Sequence, residues 1–298
     1  MPTTPLGGLM VPAVSTFDAH GDLDRASFIA NLDAHLAQGM DGVLVAGSSG
    51  ESALLDDPDR RALLTWARER VPSEKWLLAG IGSESTRQTI ARARDAKELG
   101  ADAALIVSPH YFLKRMTQAA LTAHFRAVAD ASPLPVMLYN IPVYAHVVMS
   151  PEFVHEMAQH ENVIGMKDSA GNLPVLVEYL GAQSETFRVL TGSGATVVPA
   201  LTAGVKGAIL AIALYAGPLV RRMVDLFAAG SIDDATALQD KLKPLAMDIA
   251  GAMGPAGIKA AMTMAGLAGG PPRSPLLAID GDELATVRAR MESVGLTQ

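Results

Sequence analysis

Short apolar runs return along the chain at 9–14, 42–46, 76–81, 103–107, 135–139, 163–167, 187–191 and 207–212. They recur roughly every 20 to 35 residues, about the length of one strand–helix unit. Most are apolar on both faces rather than alternating, the pattern of parallel strands covered by helices. Between them the periodicity predicts helices at 24–38, 58–69, 85–99 and 117–131. Ser85-Thr86-Arg87-Gln88 predicts a capping box at the start of the third helix. Gly39, Gly100 and Gly204 sit where helix C-termini are expected. Beyond 230 the strand pattern stops, and helices are predicted at 233–250, 255–268 and 282–294.

Eight such units without a break in composition predict an α/β fold, a (β/α)8 TIM barrel over 1–230. A C-terminal helical extension over 231–298 would pack on it. An open doubly wound sheet is the weaker alternative, because no Gly-x-Gly-x-x-Gly follows the first run. The 298 residues are 49% hydrophobic and 18% charged, ample for a core. A net charge of −7 and the absence of any basic run argue against nucleic acid or an anionic membrane as partner. With no cysteine, disulfides, thiolate metal sites and cysteine nucleophiles are excluded, which fits a cytoplasmic protein. The first residues lack the pattern of a signal peptide. The apolar stretch 198–220 is broken by Lys206 and by glycines and prolines, and reads as strand then helix rather than a membrane span.

In barrels of this kind reactive groups gather at the C-terminal ends of the strands. There the chain offers Gly47-Ser-Ser-Gly-Glu51, Ser108-Pro-His-Tyr111, Tyr139-Asn140, Lys167-Asp-Ser169 and Thr191-Gly-Ser-Gly194. Lys167 ends a buried run whose alternation puts Val163, Gly165, Lys167 and Ser169 on one side. An ammonium there is expensive unless paired or deprotonated, and desolvated lysines are the ones that form Schiff bases. Gly165 is expected to leave space for a small substrate. Alone, a lysine at a strand end more often snorkels to water; the surrounding hydroxyls and phenols change that reading. Ser48, Ser49 and the N–H groups of their loop form a candidate carboxylate cradle. No His-x-x-x-His or carboxylate cluster stands at the rim, so no metal is expected, and His155 and His160 read as surface residues. Gly192-Ser-Gly194 and the acidic run from Asp18 to Asp24 read as plain turns rather than phosphate or calcium sites.

With these motifs in hand, together with Gly8-Leu-Met-Val-Pro-Ala13, Ala79-Gly-Ile-Gly-Ser-Glu-Ser-Thr86 and Gly269-Gly-Pro-Pro-Arg-Ser-Pro-Leu276, the chain resembles the dihydrodipicolinate synthase / N-acetylneuraminate lyase family of pyruvate-dependent class I aldolases. The resemblance implies that Lys167 forms the Schiff base with a 2-oxo acid. It makes Tyr139 the proton shuttle, with Ser49 linking that phenol to Tyr111, and Tyr111 reaching across a subunit interface. Ser48 and Ser49 would hold the carboxylate, with Ser169, Gly192 and the backbone of Ile209 lining the pocket. It also implies no cofactor and a homotetramer built as a dimer of dimers.

Where the synthase branch has an arginine for the aldehyde's carboxylate, this chain has Tyr144, followed by Ala145 and His146. Ser169 and the run from Ser132 to Tyr139 are instead similar to the 4-hydroxy-2-oxoglutarate aldolase branch. The expectation is therefore a carbon–carbon (or carbon–oxygen) lyase cleaving a 4-hydroxy-2-oxo acid, best 4-hydroxy-2-oxoglutarate, to pyruvate and an aldehyde. The alternatives are condensation of pyruvate with aspartate semialdehyde, and a non-catalytic 2-oxo-acid binding protein.

Overall fold

Eight parallel strands hydrogen-bond in chain order and the eighth closes on the first. They are β1 (Gly8–Pro12), β2 (Gly42–Val45), β3 (Trp76–Gly80), β4 (Ala103–Val107), β5 (Val136–Asn140), β6 (Val163–Asp168), β7 (Arg188–Thr191) and β8 (Gly207–Ile209). These come from a computed structural model in which residues 2 and 4–297 are described. The helices are α1 (Arg25–Ala37), α2 (Asp57–Arg70), α3 (Thr86–Glu98), α4 (Gln118–Ala131), α5 (Pro142–Ala145), α6 (Pro151–Met157), α7 (Leu173–Leu180), α8 (Val197–Ala203), α9 (Ala213–Ala228), α10 (Ile232–Leu245), α11 (Gly254–Met264) and α12 (Gly281–Glu292). The expected (β/α)8 barrel with additional C-terminal helices is the fold observed.

The strands are nearly all buried on both faces, which explains their continuous apolar runs. One apolar cluster joins Leu9, Val43, Leu77, Leu138 and Val189 of the strands to Leu242, Ile258, Met262 and Val287 of the last three helices. Each such side chain contributes about 1.5–3 kcal/mol on burial. α10 packs on α8 and α9, while α11 packs on α9 and on the turn at 48–50. The C-terminal helices thus reach the rim where the candidate groups lie.

Several local expectations shift. The run at 207–212 stays a strand only to Ile209: Leu210 N–H still donates to Met10, but its carbonyl accepts from Ala213 and starts α9. The capping box at Ser85 is half made. Ser85 accepts from Gln88 N, but the Gln88 amide donates to Asp57 at 2.6 Å instead of returning. The reciprocal box forms at Asp56 and Asp59, heading α2. The helix expected over 233–250 ends at Leu245 and continues as a π-helical segment, Ala246–Gly251. Gly254, at φ +57°, then opens α11.

Candidate active site

β5 and β6 lie in a register that makes Tyr139 and Lys167 direct partners, and Asn140 and Asp168 the next pair. The Lys167 side chain is therefore held against Tyr139. Its Nζ lies 3.3 Å from the phenol oxygen and 4.4 Å from the ring centroid. The residue is only 4% exposed, so it does not snorkel to solvent. Ser48 Oγ lies 3.4 Å from the same phenol oxygen. Both contacts are long for hydrogen bonds to a hydroxyl, so amine, phenol and hydroxyl form a loosely spaced chain. Ser48, rather than Ser49, touches the Tyr139 phenol. Both serines line the cavity, but Ser49 has no hydrogen bond to the phenol.

The turn carrying the serines is bracketed by two non-glycine residues in the left-handed region, Ala46 at φ +55° and Glu51 at φ +56°. Such residues persist where the surroundings over-determine them. For Glu51 the surroundings are explicit. One carboxylate oxygen lies 2.5 Å from Lys259 Nζ of α11, and the other accepts from Arg273 N at 2.7 Å. Both side chains of the ion pair are fully buried. Burial holds the Lys259 ammonium below the usual lysine range, with Glu51 pulling the other way. Lys259 Nζ also donates to Pro271 O and lies over the Phe17 ring, as does the Arg273 guanidinium. Neither cation was singled out in the sequence. The signal was the pairing of Glu51 with the Gly-Gly-Pro-Pro-Arg run, visible only once the chain closes.

Asn140 donates to Asp168 at 2.7 Å and accepts from Met149 N, and the Tyr179 hydroxyl donates to Met149 O. Burial raises the Asp168 carboxyl. This network clamps the ends of β5 and β6 one residue beyond the lysine and tyrosine.

Glycine positions define the space around the amine. A Cβ on Gly192 would stand 2.0 Å from Ser169 Oγ and 2.7 Å from Lys167 Cε. Gly165 has another role than expected: its missing Cβ would collide with Arg188 O at 2.3 Å and meet Leu6. It permits close approach of β7 rather than leaving room for a substrate. Ser169, Gly192 and Ile209 all line the same cavity as Lys167. Its volume is about 270 Å³.

Tyr111 is not among the lining residues and is 77% exposed, stacked edge-on with Phe112. Its N–H and that of His110 both donate to Glu84. Tyr144 lines the cavity, whereas exposed His146 caps α5 at φ +52° and does not. His155 is exposed, but His160 is half-buried against Asp130. The run from Asp18 is a turn closed on the Asp18 carboxylate, and Asp24 caps α1. Among the described residues no three His, Asp or Glu side chains gather as metal ligands, and no helix is long and apolar enough to cross a membrane.

Residues 5–294 match the model of the dihydrodipicolinate synthetase family. A protein of an Exiguobacterium species named 4-hydroxy-tetrahydrodipicolinate synthase is 31% identical over 286 residues, covering 96% of this chain and 97% of that protein. One from Streptomyces coelicolor with the same name is 36% identical, covering 96% and 93%. The crystal structure of a dihydrodipicolinate synthase from Bacillus anthracis superposes with a TM-score of 0.92 at 30% identity, covering 96% and 98%. A prophage protein of the same family from E. coli K12, solved in complex with pyruvate, gives 0.90 at 26% identity, covering 98% and 99%. The chain belongs to the dihydrodipicolinate synthetase family, and is an enzyme of the class I aldolase type, a lyase class that works through a lysine Schiff base without a metal.

Proposed function

We propose that the chain makes or breaks the bond between C3 and C4 of a 4-hydroxy-2-oxo acid through a Schiff base on Lys167. The observation that carries this is the buried Lys167 amine, 3.3 Å from the Tyr139 phenol. The neutral amine attacks C2 of the 2-oxo acid, the carbonyl oxygen leaves as water with protons relayed by Tyr139, and an iminium remains. In cleavage, Tyr139 takes the C4 hydroxyl proton, C4–O becomes the aldehyde carbonyl, and the C3–C4 electron pair passes into the iminium to give an enamine. Protonation at C3 and addition of water release pyruvate and restore the amine. Ser48 sits beside the phenol as the next hydroxyl in the relay. Ser48 and Ser49 hold the pyruvate carboxylate. The turn's own bonds engage the N–H groups of Gly50, Glu51 and Ser52, the residues that follow.

The relatives' names favour pyruvate and aspartate semialdehyde as the substrate pair over 4-hydroxy-2-oxoglutarate, which none of the relatives named above carries. Against the first stands Tyr144 at the cavity mouth. We also propose that the protein assembles as a homotetramer in which Tyr111 and Phe112, exposed on their rim loop, enter a neighbouring subunit. The test is reduction with borohydride in the presence of pyruvate, followed by peptide mass mapping. Stable modification is expected at Lys167, and an unmodified Lys167 would overturn the reading.

A further inference from the structure

We infer that the aldehyde-side half of this cavity accepts a small, uncharged, mainly apolar aldehyde rather than one bearing a second carboxylate. This rests on the Schiff-base reading of the other half. The cavity is chemically two-sided. Lys167, Tyr139, Ser48, Ser49 and Ser169 gather at the barrel end, whereas the outer wall is Ile212, Ala246, Met247, Ala250, Pro255 and Ile258. Among the described residues that line the cavity, Lys167 is the only lysine, and none is an arginine, histidine, aspartate or glutamate. Once it is an iminium, its charge is answered by the carboxylate of the 2-oxo acid itself. The remaining polar side chains of the lining, Tyr144 and Ser193, bring hydroxyls but no cation, so a second carboxylate there would be buried without a counter-charge, an arrangement that disfavours the ionised form.

The wall is shaped by the π-helical segment, where Ala252 N–H donates to Met247 O, five residues back, instead of to Asp248 O, four back. Such insertions recur where a helix presents side chains to a site. Here the wide turn brings Ala246, Met247 and Ala250 to the cavity. Tyr144 closes the mouth from the other side. Its hydroxyl lies 3.0 Å from where a Cβ on Gly254 would be, so the glycine at the start of α11 makes room for that hydroxyl. Burial and the neighbouring Tyr139 push the Tyr144 phenol above its usual range, so it presents a neutral wall. The volume of about 270 Å³ falls just under the roughly 300–1,000 Å³ of ligand sites. That admits pyruvate and one compact partner.

The experiment measures kcat/KM of the full-length enzyme for carbon–carbon bond formation between pyruvate and each of four aldehydes. Isobutyraldehyde and benzaldehyde are the apolar pair; glyoxylate and aspartate semialdehyde are the carboxylated pair. Borohydride labelling of Lys167 by pyruvate is read in the same preparations. The apolar pair should be preferred by about tenfold or more, the scale on which pocket mismatch discriminates. Tyr144→Arg, and independently Met247→Lys, should shift the ratio toward the carboxylated pair while labelling of Lys167 persists. Labelling together with equal or better use of the carboxylated aldehydes, or with no use of the apolar ones, overturns this inference alone. Absence of labelling overturns the Schiff-base reading and this inference with it.

Discussion

Glu51 and Lys259 form a fully buried ion pair of 2.5 Å between the turn that carries Ser48 and the helix that roofs the cavity. A buried pair broken on one side leaves an uncompensated charge, at a cost of about 3–5 kcal/mol. Glu51→Gln is therefore expected to lower unfolding free energy by that order. Joint replacement with Lys259→Met should recover part of the loss. Denaturant unfolding of the three proteins checks this; additive losses would show that the pair is not the cause.

Gly192→Ala tests the space beside the amine. The added methyl would overlap Ser169 Oγ and press on Lys167 Cε, and φ at this residue is not in the left-handed region. Turnover is expected to fall on the order of 10²-fold, the scale of a misplacement of about 1 Å, with little change in melting temperature. Unchanged kcat would show that the side chains part without consequence.

Replacing Tyr139 by Phe removes the proton carrier and should lower kcat by about 10²–10⁴-fold. Ser48→Ala should reduce kcat less, and Ser49→Ala should act mainly on the KM for pyruvate, because only Ser48 touches the phenol. Steady-state kinetics of the three variants distinguishes them. A larger kcat loss for Ser49→Ala than for Ser48→Ala would restore the original assignment of the relay.

The pH profile of stability should bend on the acid side. Burial lowers His35 and His124 to about 4 from an ordinary 6.5. Both are neutral when folded, and the unfolded chain takes up their protons first. Their contribution is thus full above pH 6.5 and is lost as pH falls toward 4. The loss is up to about 3 kcal/mol per residue. Denaturant unfolding between pH 7.5 and 4.5 checks this, and His124→Gln should flatten the profile. A profile unaltered by that change would remove His124 as a source.

Much of the barrel was legible because it is written in local periodicity, and strand ends follow from where the apolar runs stop. Lys167 and Tyr139 could be placed together because both end such runs on adjacent strands. The choice between Ser48 and Ser49 could not, since it depends on the turn set between the left-handed residues Ala46 and Glu51. Gly165 was misread because its constraint comes from the neighbouring strand and Leu6, far away along the chain. Lys259 was invisible for a similar reason: in the sequence it is one lysine in an otherwise apolar helix, and its partner lies on another element.

The reactive amine and phenol stand near the C-terminal ends of two barrel strands, while the opposing wall from Ala246 to Ile258 belongs to helices added after the barrel. Chemistry and most of the aldehyde-facing wall are thus carried by separate stretches of the gene, Tyr144 and Ile212 being the parts of that wall that belong to the barrel. Substitutions in the later stretch can retune which aldehyde enters while the bond-making apparatus stays as it is, so a lineage can try new substrates without first losing the old reaction.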